Sequence, residues 1–115
     1  DLVEILESAL PKGYERGRIH PATRTFQALR MHANDELENL ERILNDVPRV
    51  LAPGGRMVVI SFHSLEDGAV KRGMRRLEGA GKAEILTKKP VVPGPEEARE
   101  NPRSRSAKLR ALKLL

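Results

Sequence analysis

Residues 56–67, RMVVISFHSLED, decide how this chain folds. Met57, Val58, Val59, Ile60 and Phe62 make an apolar run dense in β-branched side chains, and it breaks off at His63, Ser64, Glu66 and Asp67. Such a run, apolar on both faces, predicts a strand covered by helices on each side and therefore a parallel sheet. Ser64 followed three residues later by Asp67 has the S-x-x-D form of a capping box, so residues 64–81 are predicted to be the next helix, closed by glycines. On the other side, Ala52-Pro53-Gly54-Gly55 marks the turn that enters the strand.

Working outward, Phe26, Leu29, Ala33, Leu37, Leu40, Leu44, Val47 and Leu51 recur every three or four residues. This spacing predicts one long amphipathic helix. Pro21 suits its first turn, with His20 or a nearby Thr at the cap, and Pro48 is expected to kink its end. Leu2, Ile5, Leu6 and Ala9 predict a shorter helix that Pro11 and Gly13 stop. Beyond residue 81, residues 83–87 and 108–114 read as two further strands. Between them lies KKPVVPGPEEARENPRSRS (88–106), read as a Pro-rich, highly charged loop. The expected class is α/β, the back half of a doubly wound sheet.

Composition narrows the function. A chain of 115 residues holds one modest domain. With 21 Lys and Arg against 16 Asp and Glu, its net charge of +5 favours a polyanionic partner, nucleic acid ahead of a membrane surface. No cysteine is present, so disulfides and thiolate metal sites are excluded. No stretch approaches the roughly 20 apolar residues of a membrane-spanning helix, and a cytoplasmic location is expected. His20, His32 and His63 show no i,i+4 pairing, so no metal is expected. Aromatic residues are 3% of the chain, too few for an extended base-stacking platform.

Several residues admit both a chemical and a plain reading. His63 stands at a strand's carboxyl end, where doubly wound sheets bind ligands, although spacing alone favours a solvated or satisfied imidazole. Ser64 and Asp67 could be helix caps alone. Arg24 and Thr25, at a helix start, suit a phosphate, although Arg24 could be merely solvated. Asn34 and Asp35 are weak helix formers that fit a polar contact or a solvent-facing pair. Asn101, Arg103 and Arg105 lie on one polar loop, where arginine can hold phosphate or stack on an unpaired base; charge runs are also commonly just solvated.

HPATRTFQALR (20–30) with NDEL (34–37), SFHSLED (61–67) and ENPRSRSAKLR (100–110) together resemble the bacterial 16S ribosomal RNA cytosine-N4 methyltransferases, the RsmH/MraW family. VLAPGGRMVVISF (50–62) is similar to the helix, turn and fifth strand of class I S-adenosylmethionine-dependent methyltransferases. The resemblance implies methyl transfer from S-adenosyl-L-methionine to the exocyclic amine of a cytidine in small-subunit RNA. It implies that Ser61, His63 and Asp67 lie at or beside the catalytic pocket. His20, Arg24, Thr25, Asn34, Asp35, Ser64, Asn101, Arg103 and Arg105 are the expected contacts to 16S rRNA or the small ribosomal subunit.

By the same resemblance, residues 1–19 are the tail of a helical insertion and 20–115 the carboxyl-terminal part of the methyltransferase domain. The cofactor's glycine-rich loop is expected upstream, and an amino-terminal portion or self-association is expected to complete the sheet. Gly54 and Gly55 enter a strand instead of leaving one, the wrong context for a nucleotide cradle. Gly68 and Ala69 stand where the family continues with Arg and Ile, so that arginine's contacts do not carry over. Two other readings stay open: a non-catalytic basic RNA-binding module, and a structural or interaction fragment.

Overall fold

The structure, a computed structural model, describes residues 1–11, 20 and 22–115. Gly13, expected with Pro11 to stop the first helix, and Pro21, expected in the first turn of the next, lie outside the described residues. The chain forms two compact units, residues 1–36 and 37–115.

In the first unit, α1 (Leu2–Ala9) starts with a reciprocal cap. The Asp1 carboxylate accepts from the Glu4 N–H at 3.0 Å, and the amino terminus donates to the Glu4 carboxylate at 3.1 Å. Helix α2 (Thr23–Asn34) is entered through His20, whose carbonyl accepts from the Thr23 N–H at 3.0 Å. The His20 ring accepts from the Ala22 N–H at 3.1 Å through Nδ1, and its Nε2 lies 2.8 Å from Glu7 Oε1. The single long helix predicted from the apolar stripe is instead two. Asp35 adopts φ +52° between α2 and α3 (Glu36–Val50), a left-handed conformation that aspartate tolerates and that ends a helix.

In the second unit, α3 keeps Pro48 inside its last turn and contributes Leu44 and Val47 to the core. The turn after it needs glycine: Gly54 has φ +83°, and its N–H donates to the Leu114 carbonyl at 2.8 Å. Strand β1 (Arg56–Ser61) leads into α4 (Ser64–Gly79), then β2 (Ala83–Ile85), α5 (Pro95–Glu100), a 3-10 helix (Pro102–Ser106) and β3 (Lys108–Leu114). Residues 88–106, expected to be loop, thus hold two short helices, each with proline at its start, the position where a missing N–H costs nothing.

The predicted parallel sheet is corrected. The three strands lie in the order β1-β3-β2, and both pairings are antiparallel. Full burial of β1 is corrected as well. Met57, Val59 and Ser61 share a face with Arg110, Leu112 and Leu114, which Val70, Met74 and Leu77 of α4 and Leu44 of α3 cover. The opposite face leaves Val58 57% and Ile60 52% exposed. The mixed α/β class holds; the pairing direction differs because an apolar run specifies burial, not strand direction.

Candidate functional site

Antiparallel pairing sets Ser61, the last residue of β1, opposite Lys108, the first of β3. The carboxyl end of β1, the start of α4 and the start of β3 therefore meet at one end of the sheet. Ser61 is buried there. The N-cap of α4 is His63, not Ser64: His63 Nδ1 accepts from the Glu66 N–H at 3.3 Å, while Ser64 is the exposed first helical residue. The sequence favoured the hydroxyl because Ser is the commoner cap, but an imidazole in extended backbone reaches the same amide.

The accepting Nδ1 carries no proton, so in the neutral ring the proton is on Nε2, an assignment that rests on this hydrogen bond. Nε2 lies 2.9 Å from Glu66 Oε1, within ion-pair range of a protonated ring. The approach is too poorly aligned for a hydrogen bond, which leaves Nε2 buried without a hydrogen-bond partner. The distance suits a charge pair, but alignment decides whether a neutral N–H is satisfied, and this one is not.

Asp67 is the best-held group of the site. Arg110 Nε donates to its Oδ1 at 2.7 Å and Nη2 to Oδ2 at 3.1 Å, a bidentate fork, and Lys108 Nζ stands 3.9 Å from Oδ2. The hydrogen bond from Arg110 holds the Asp67 carboxyl below its ordinary range against the opposing effect of burial, and the charges of Arg110, Lys108 and Lys71 add to it. Asp67 therefore pins the first turn of α4 to β3. It does not cap the helix through Ser64. Neither Glu66 nor Arg110 was singled out from sequence. Arg110 is one of many basic residues, and only its inward place in the alternation of β3 marks it.

Asn101, Arg103 and Arg105 occupy the segment that enters β3, at the same end of the sheet as Ser61. The Asn101 carbonyl accepts from the Ser104 hydroxyl at 2.7 Å and from its N–H at 2.9 Å. Arg103 and Arg105 are exposed on the 3-10 helix, and among the described residues neither is ion-paired. A Cβ at Gly68 would lie 3.1 Å from Arg72 Nη1, so a guanidinium from one turn later covers that position.

The remaining candidates belong to the first unit. His20 bridges Glu7 and the start of α2, Arg24 is exposed, Thr25 is half-buried, Asn34 closes α2, and Asp35 is the exposed turn residue. Among the described residues no group of three or more His, Cys, Asp or Glu could hold a metal, and no helix is long and apolar enough to cross a membrane.

Comparison with known proteins bears on this arrangement as a whole. The profile of the MraW methylase family matches residues 1–115. Ribosomal RNA small subunit methyltransferase H of Nostoc punctiforme is 54% identical over 110 residues, covering 96% of this chain and 36% of that protein. The protein of the same name from Koribacter versatilis is 59% identical over 104 residues, covering 90% and 33%, and that of Synechococcus elongatus is 52% identical over 110 residues. The chain thus spans about a third of the length of these curated relatives. The junction of β1, α4 and β3 lies within a match that runs the full length of the chain, and on that ground the chain belongs to the MraW methylase family.

Proposed function

We propose that this chain is the carboxyl-terminal portion of a cytoplasmic, class I (Rossmann-like) methyltransferase that methylates the N4 amine of a cytidine in 16S ribosomal RNA. One observation carries the reading: at the carboxyl end of β1, beside buried Ser61, His63 presents a buried Nε2 without a hydrogen-bond partner. Its nearest acceptor, Glu66 Oε1 at 2.9 Å, is misaligned, so a ligand group at this strand end could take up the Nε2–H. The relatives' name, small subunit methyltransferase, supplies the substrate class.

The amine of cytosine is a poor nucleophile because its lone pair is delocalised into the ring. The protein's task is to hold it in line with the methyl group and to order the polar groups around it. S-adenosyl-L-methionine, when bound, supplies the methyl as a sulfonium. Its glycine-rich loop is assigned to the part of the relatives' length that this chain does not span. In this chain Ser61 and His63 form the strand-end wall of the pocket, with the Nε2–H of His63 as a polar contact. Asp67 holds the first turn of α4 in place through Arg110. Ser64, Asn101, Arg103 and Arg105 are the RNA contacts at that end, and His20, Arg24, Thr25, Asn34 and Asp35 are those of the first unit.

The test is a chimera in which this chain replaces the segment it aligns with in the Nostoc punctiforme protein. Labelled methyl transfer to small-subunit RNA is then measured. The chimera is expected to be active, and His63→Ala is expected to lower turnover well beyond its loss of folded protein. Losing the His63 cap itself costs about 1 kcal/mol. Ser64→Ala, on an exposed first-turn residue, is expected to change stability by less than about 0.5 kcal/mol. Equal turnover of parent and His63→Ala at matched folded fraction would remove His63 from the site.

A further inference from the structure

A second feature of the same unit adjoins that site and shares Arg110 with it. Lys71, Met74, Arg75 and Glu78 fall on one face of α4 at intervals of three and four residues, and they wall a surface cavity of about 260 Å³. Ile85, Thr87, Lys88 and Arg110 complete it. The cavity lies between α4 and the edge formed by β2 and the residues after it.

Its chemistry is that of an anion site. The side chains of Lys71, Arg75 and Lys88 make no ion pair or hydrogen bond among the described residues, although the Lys71 charge is felt by Asp67. Arg110 is partly neutralised by Asp67. Thr87 Oγ1 accepts from the Ala111 N–H at 3.1 Å, which leaves its own hydrogen free to donate. The one carboxylate of the wall, Glu78, is held back by accepting from the Ile85 N–H at 2.9 Å. Lys71 and Arg75 repel each other at i,i+4, an arrangement that an anion between them would relieve. The volume is below the roughly 300–1,000 Å³ of sites that enclose whole small molecules, so the occupant is one group of a larger ligand.

We propose that this cavity holds a backbone phosphate of the RNA, a contact apart from the strand-end pocket. The inference rests on the RNA reading above. Met74 and Ile85 give the phosphate an apolar floor, and Arg75 and Lys88, both exposed, close over it from opposite walls. Because Arg110 lines the cavity and also holds Asp67, the site lies directly behind the first turn of α4.

The test measures binding of a mixed-sequence single-stranded RNA to the full chain by fluorescence anisotropy across a salt series. Arg75→Gln/Lys88→Gln is compared with Arg42→Gln/Arg49→Gln, which removes two charges from α3, where they pair with Glu38 and Asp46. The cavity variant is expected to bind roughly tenfold more weakly, the loss of one charge-assisted contact. Its salt slope should fall by about 0.7 for each phosphate released. The α3 variant should keep nearly the parent's slope. Lys71→Arg, which preserves charge, should also keep it.

All variants are compared at equal folded fraction by circular dichroism. Unchanged affinity and slope in the cavity variant would overturn the cavity while leaving the RNA reading intact. Equal losses in both variants would also overturn it, since net charge alone would then govern binding. A parent chain that ignores RNA, or that binds anionic phospholipid vesicles instead, would end both readings.

Discussion

Asp67 has two carboxylate oxygens and both are committed, Oδ1 to Arg110 Nε and Oδ2 to Arg110 Nη2. A carboxyl that ionises more readily in the folded than in the unfolded chain adds stability above the unfolded carboxyl range, near 4. That stability is lost as pH falls through the lower folded value. Asp67→Asn leaves the Arg110 guanidinium buried with no counter-charge, which costs about 3 kcal/mol at neutral pH. In urea titrations from pH 7 to pH 2, the gap between parent and Asp67→Asn should be constant above about pH 5 and should close as the pH drops below about 4. Parallel curves would mean that the fork contributes nothing through ionisation. From the sequence, Asp67 was legible as a first-turn acid of α4 but not as the partner of Arg110, because 43 residues separate them and only the register of β3 beside β1 brings them together. His63 was legible as a strand-end residue, and its capping role was not, since a neighbouring serine competed for the position.

At the scale of elements, the crossing of α3 and α4 depends on Gly73. A Cβ there would come 2.6 Å from Leu44 Cδ1 and 3.2 Å from its Cβ. Gly73→Ala gains up to about 1 kcal/mol of helix propensity but overpacks a fully buried leucine, a cost of about 1–3 kcal/mol. Leu44 is 0% exposed and cannot swing into solvent, so the clash wins and the variant should be less stable than the parent by about 1 kcal/mol in urea unfolding. In a Leu44→Ala background, which removes Cδ1 and keeps only the 3.2 Å approach to Cβ, most of that cost should disappear; equal destabilisation in both backgrounds would place the cost elsewhere. Most elements were legible. The strand at 108–114 stands where its alternation put it, and α4 starts where the apolar run ended. Besides the direction of strand pairing, what failed at this scale depended on one residue's backbone. The φ of Asp35 splits the long helix, and prolines 95 and 102 start short helices where they were read as breaking structure. Proline is punctuation in both cases, and only its neighbours decide which.

At the scale of the molecule, the sheet of the second unit is covered on one face. Val58 and Ile60 of β1, with Phe62 just beyond it at 51% exposure, face outward, and among the described residues β1 pairs only with β3. The sequence predicted apolar cover on both faces because a run such as MVVI records what the strand needs, not which segment supplies it. An apolar sheet face beside an unpaired strand edge is the arrangement that folded proteins avoid exposing, because it recruits another chain. The chain alone should therefore self-associate in sedimentation velocity, in a concentration-dependent manner, and should bind an apolar fluorescent dye. Ile60→Lys keeps the covered face intact, since Met57 and Val59 are unchanged. It places a charge in the middle of the open face, so it should reduce both dye binding and association with little loss of folded protein. If association fell only in proportion to unfolding, the contacts would come from unfolded chains and not from this face. A compact monomer that binds no dye would show that the face is tolerated in water, and the expectation of a covering segment or second copy would fall with it.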